Sequence, residues 1–261
     1  MMPFLTFETF YVNKLDLTYL YIFFYTVLLI VILSGVIFII GKVMRVDRSH
    51  LSAMTLGVLF PNSGNYGAPI VLFAYGTEAF DYAIIIMVIH GLINNSLGIF
   101  IAAFGGSQST TIKDALISVL RMPVLYGVLL GVFLQLIHLE IPPTIMEGIS
   151  LVGAAAIPTV MLILGMQLAE VKYQMFEWKY VNTVLLTRML ISPLLAVVLV
   201  SFMPVDDIIK DVFILLAAMP VAANTVMLAV QFNVKADLVS FTTLVTTLVS
   251  IITIPLTLYL L

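Results

Sequence analysis

Between Leu17 and Ile40 the chain is apolar and carries no charged residue. A bilayer core about 30 Å thick takes about 20 such residues of helix, so the run predicts a membrane span. Seven further apolar stretches predict spans at about Leu51–Tyr75, Phe80–Phe104, Ala115–Ile137, Ile145–Ala169, Val181–Met203, Ile208–Val230 and Leu238–Leu261. The expected fold is an all-α polytopic membrane protein with eight complete spans, because a helix satisfies its own backbone in lipid.

The second stretch cannot be a continuous helix. It contains Pro61-Asn62-Ser63-Gly64-Asn65-Tyr66-Gly67-Ala68-Pro69. Pro69 removes the bond to the fourth residue back, and Gly64 and Gly67 weaken the same turns. A freed backbone group in lipid costs several kcal/mol unless protein or water satisfies it. The segment is therefore expected inside the protein, lining a cavity. Secondary transporters build substrate and ion sites from such breaks, since half-helix N-termini present free N–H groups to anions.

The seventh stretch has a related device. In Met219-Pro220-Val221-Ala222-Ala223-Asn224 a proline precedes an asparagine by four residues, the spacing of Pro61 and Asn65. The second and seventh spans run in opposite directions, as an inverted repeat requires. A plainer reading stays open, because Pro and Gly are common in membrane helices and small residues also serve close packing.

Composition narrows the function classes. Of 261 residues, 62% are hydrophobic and 10% charged, against about 25% charged in soluble domains, so lipid is the expected solvent. The absence of cysteine excludes disulfides and thiolate chemistry. A net charge of -3 without a basic stripe gives nucleic acid no footprint. The first residues hold no basic region and meet Glu8 at once, unlike a signal peptide. No HExxH, GxSxG or Walker A sequence occurs, and His50, His90 and His138 fall at different levels. Neither an enzyme nor a metal or cofactor site is expected.

Loop charges predict the orientation. Lys42, Arg45 and Arg48, then Lys113 and Arg121, then Lys172 and Lys179, and finally Lys235 fall in alternate loops. The intervening loops are acidic. The cationic side is cytoplasmic by the positive-inside rule, which puts both termini on the non-cytoplasmic side. Gly105–Thr111 is the candidate central linker. The expected organisation is a first unit over 1–104, a short cytoplasmic linker over 105–114 and a second unit over 115–261.

These motifs together resemble the auxin efflux carrier family, which includes plant carriers and bacterial permeases for malate, malonate and related acids. Pro61-Asn62 through Gly67-Ala68-Pro69 is similar to the family's first crossover, and Met219-Pro220 through Gln231-Phe232-Asn233 to its second. Ile157–Gly165, Arg188-Met189-Leu190-Ile191-Ser192-Pro193 and Ile254-Pro255-Leu256 also match family patterns. The resemblance covers essentially the whole chain. It implies a ten-helix carrier of two inverted five-helix repeats, with two broken helices crossing at mid-membrane. Pro3–Phe7 looks like the outer end of the family's second helix. The chain would then hold eight of ten spans, lacking the first helix and most of the second from the first repeat.

The resemblance implies a secondary transporter of small organic anions in the cell membrane, working by alternating access. The bilayer and the solute are its expected partners, and a homodimer is an open assembly. Asn62, Asn65, Gly67, Pro69, Pro220 and Asn224 become the candidate solute-binding residues. The asparagine amides could bind a carboxylate, or only cap freed backbone. His90 sits within the third span, where a polar glutamine lies near the site in plant carriers. It could relay a proton or stay neutral on a carbonyl. Asn94 shares its helix face. Thr159 and Gln167 are candidates for the cavity lining. Arg188 could attract an anion or snorkel to headgroups. Trp178 and Tyr180 read as an interfacial anchor, and the methionines as packing residues. A sodium-coupled symporter of the bile-acid type and a truncated, non-transporting membrane protein are the competing readings.

Overall fold

The computed structural model describes residues 1–14, 16–106, 110–169 and 177–261, with the backbone alone for 167–169. All regular structure among them is helical. In chain order the helices are α1 (Met2–Val12), α2 (Leu17–Val43), α3 (Arg48–Leu59), α4 (Ala68–Ile93), α5 (Ile99–Gly105), α6 (Ile112–Leu120), α7 (Pro123–Leu136) and α8 (Pro143–Ala154). They continue as α9 (Ala156–Ala169), α10 (Trp178–Leu186), α11 (Ser192–Val200), α12 (Asp207–Ala217), α13 (Asn224–Gln231) and α14 (Ala236–Leu260). Three π turns, Ser63–Gly67, Asn94–Gly98 and Thr187–Ile191, link α3 to α4 (after the break), α4 to α5 and α10 to α11.

The uncharged run found first is α2. Asp16 caps its start by accepting from Thr18 N–H at 2.8 Å. One face buries Ile22, Tyr25, Leu29, Leu33 and Ile37, while Phe24, Val31 and Phe38 remain exposed. A helix apolar on every side needs lipid on the face that protein does not cover.

Helical structure runs from Ser63 to Gly105, 43 residues. Straight, it would be about 65 Å long, twice the bilayer core. It turns back at Gly76, whose φ of 83° and ψ of -168° suit only glycine. Ser63 consequently meets His90 at 3.2 Å, and Ser52 Oγ donates to Ile101 O at 2.6 Å. The expected spans 51–75 and 80–104 thus lie side by side and antiparallel.

The expected span 115–137 needs correction. It is not one helix but α6 and α7, bent by 67°. Pro123 opens α7 and cannot donate to Val119 O, so the first helix ends before it. α1 packs along α7 at closest approach. A Cβ on Gly127 would fall 2.2 Å from Pro3 O, and one on Gly131 2.7 Å from Phe7 O. By length and composition, five helices among the described residues can cross a membrane, and up to six with the bent pair. The expected span 208–230 is two short helices, α12 and α13, around a break. The expected linker 105–114 lies partly outside the described residues.

Candidate functional site

α3 and α12 both end in mid-chain breaks, and the breaks meet. Asn62 N–H donates to Pro220 O at 2.8 Å, and Ala222 N–H donates to Phe60 O at 2.9 Å. Pro61 and Val221 form the antiparallel bridge between these two bonds. In such a ladder, residues at the non-hydrogen-bonded position need no partner across the pair. Pro61 lacks an N–H and sits there without loss. Val221 has one, and it donates to Thr246 Oγ1 at 3.2 Å. After the crossing, Gly67 N–H returns to Asn62 O at 2.9 Å and closes the first π turn.

The helix ends at the crossing leave unpaired carbonyls, and Arg188 takes them. Its Nε donates to Met219 O at 3.1 Å and one terminal nitrogen to Val58 O at 2.8 Å. The other terminal nitrogen donates to Ala217 O, which also accepts from Ser192 Oγ at 2.9 Å. Arg188 is 1% exposed, so it does not snorkel. α14 serves both breaks with buried hydroxyls: Thr246 reaches Val221, and Ser250 Oγ donates to Tyr66 Oη at 3.0 Å.

With the backbone so occupied, the amides are left over. Asn62 makes no capping bond with its side chain at the first break, and α13 begins at Asn224 without a side-chain cap. Both residues line a cavity of about 190 Å³ beside the crossing, with Asn65, Ser63, His90 and Asn94 as its other polar residues. Asn62 and Asn94 are 4% and 6% exposed. Among the described residues, the Asn62 Nδ2 and the Asn94 Oδ1 have no hydrogen-bond partner. His90 Nδ1 lies 3.2 Å from Ser63 Oγ. A second, larger space of about 730 Å³ shares Asn94 and Asn224 with the first and continues past Ser118, Arg121 and Gln231.

Of the remaining candidates, Gly67, Pro69, Pro220, Thr159 and Arg188 fall outside the cavity lining. Gly67 packs tightly against α12, where a Cβ would fall 2.5 Å from Leu216 Cδ2. Pro69 is buried at the start of α4, and Pro220 takes part through its carbonyl. Thr159 donates to Ala155 O at 2.7 Å on α9. The side chain of Gln167 lies outside the described residues. Arg188 lies behind the cavity, in a small chamber that also touches Pro61 and His90. No group of three or more His, Cys, Asp or Glu able to hold a metal occurs among the described residues.

Ser63, Met87, Met122 and Met2 also line the cavity. Ser63 was legible, since it lies inside the break. The three methionines come from α1, α4 and the bend between α6 and α7 and carried no joint signal. Thr246 also had a signal, because Thr242, Thr243, Thr246, Thr247 and Ser250 form a buried hydroxyl row at helical spacing on an apolar helix.

Comparison with known proteins finds similarity to membrane transport proteins. A family described as membrane transport protein matches residues 1–258. An uncharacterized transporter of Methanothermobacter thermautotrophicus is 28% identical over 229 residues, covering 86% of this chain and 73% of that one. An uncharacterized transporter of Methanocaldococcus jannaschii is 24% identical over 227 residues, covering 84% and 71%.

Proposed function

We propose that this chain, which belongs to the membrane transport protein family of the auxin efflux carriers, is a secondary carrier of small organic anions, carboxylates such as malate or malonate. The observation that carries the reading is the division of labour at the crossing. Carbonyl and N–H groups freed by the two breaks are satisfied by each other, by Thr246 and by Arg188. The amides of Asn62, Asn65 and Asn224 and the starts of two helices are left to face the cavity. Amide N–H groups and helix N-termini attract a carboxylate without a buried cation at the contact. A volume of about 190 Å³ is below the roughly 300 Å³ at which sites for drug-sized ligands begin, which favours a small solute.

The mechanism follows from the same parts. The solute enters through the larger space and binds where Asn94 and Asn224 border both volumes. The halves 1–104 and 115–261 act as inverted repeats, each supplying one broken span to an eight-span body. The loop charges favour a cytoplasmic side for the larger space, with Arg121, and the opposite side of the cell membrane for both termini. Alternating access moves the crossing segments against the remaining helices. His90, bonded to Ser63 in the break, is the group that would couple a proton to the solute.

A thermal-shift panel of organic acids on purified protein tests this, since a ligand that binds only the folded state raises its stability. Losing one hydrogen bond to a charged ligand costs about 1.5–3 kcal/mol, so Asn62→Ala and Asn224→Ala should weaken the best acid by roughly ten- to a hundredfold. Equal binding by parent and variants would remove the site assignment. Uptake lost on sodium removal would favour the sodium-coupled reading instead.

A further inference from the structure

Arg188 presents a charge with no countercharge. It is buried at mid-span, and among the described residues no carboxylate forms an ion pair with it. Three backbone carbonyls hold it instead, one from the end of α3 and two from the end of α12. Those are the negative ends of the two half-helix dipoles. The helices that follow begin at Ser63 and Asn224, which line the cavity, so their positive ends lie beside it. The guanidinium therefore cancels the dipole ends that would repel an anion and leaves those that attract one. Only one layer separates it from the solute cavity. Pro61 and His90 line that cavity and also the chamber of about 10 Å³ that Arg188 and Tyr25 border.

We infer that Arg188 is the positioning residue that sets the charge selectivity of the crossing. It joins the two breaks through its fork and biases the cavity toward anions without touching the solute. The inference rests on the organic-anion reading. A unit charge acting over on the order of 10 Å at an effective dielectric of about 20 changes an affinity by roughly tenfold or somewhat more. A neutral solute of the same shape feels none of this.

The test compares the tightest-binding acid of a mono- and dicarboxylate panel with its uncharged amide, by calorimetry on purified protein. Arg188→Gln keeps two N–H donors and loses the charge. Arg188→Lys keeps the charge and loses the fork. Arg188→Gln should weaken the acid roughly tenfold and leave the amide unchanged, while Arg188→Lys holds the acid to amide ratio near that of the parent. Should Arg188→Gln fail to fold, Tyr25→Glu supplies a countercharge in the same chamber with the fork in place, and should lower the acid to amide ratio likewise. Equal ratios in Arg188→Gln and Arg188→Lys, or an acid affinity that Tyr25→Glu leaves unchanged, would overturn the inference and spare the carrier reading. A parent protein that binds no organic acid would overturn both.

Discussion

Replacing Thr246 with Val removes a hydroxyl at nearly constant volume and strands one buried N–H. In the parent, Thr246 Oγ1 accepts from Val221 N–H at 3.2 Å and donates to Thr242 O at 2.8 Å. Val221 is fully buried, and its N–H has no cross-strand partner because the bridge places it opposite Pro61. Thr247, one position on and equally inside the protein, donates only to Thr243 O at 2.7 Å. Both variants lose a donation to a carbonyl already bonded within the helix. Only Thr246→Val also leaves a buried donor unmet, which costs about 1–3 kcal/mol. Unfolding by SDS in mixed micelles should therefore show Thr246→Val less stable than Thr247→Val by that amount. The same change loosens the contact that shapes the cavity, so Thr246→Val should also weaken acid binding and Thr247→Val should not. Equal stability of the two variants would refute the reasoning, because it would mean that the Val221 N–H does not depend on α14.

Gly76→Ala should cost about 1–3 kcal/mol by the same measurement, since its φ of 83° and ψ of -168° exclude a side chain although nothing lies within 4 Å. Gly35→Ala, inside α2 and equally unobstructed, should instead stabilise by up to about 1 kcal/mol; a common sign for the two would refute the turn at Gly76. Outside the membrane, burial alone would raise the Asp47 carboxyl, but bonds from the His50 ring and from His50 and Ser49 N–H outweigh it and hold the group below its usual range. Its folded-state pKa is depressed, so its capping of α3 is present above the ordinary carboxylate pKa and lost as pH falls through the lowered value. Hydrogen-exchange protection at Ser49–Ala53 should show that acid step in the parent and not in Asp47→Asn; a step shared by both would exclude Asp47 as its origin. If His90 carries the coupling proton, His90→Gln should flatten the pH profile of uptake in proteoliposomes, and an unchanged profile removes that role.

Much of this was written in local sequence. Pro61 ends a helix wherever it is placed in a bilayer, so the first break needed no neighbours to be foreseen, whereas Gly64, Gly67 and Pro69 fall inside the π turn and the first turn of α4 and do not themselves break the helix. The charge-free run of α2 and the pairing of Pro220 with Asn224 were equally local. Pro123 was in view but did not by itself say how sharply α6 and α7 would bend, since a proline in a span can end a helix or only kink it. What lay beyond sequence was partnership. Whether an asparagine amide caps backbone or faces a cavity depends on who else reaches the freed groups, and those donors come from α14 and from Arg188, far along the chain. Arg188 shows the difference most clearly. From sequence it was a cation in an apolar run, free to seek headgroups or an anion. In the folded chain three carbonyls from two distant helix ends converge on it: the freed carbonyls need donors away from water, and the buried guanidinium needs acceptors in place of its lost hydration, so each meets the other's cost.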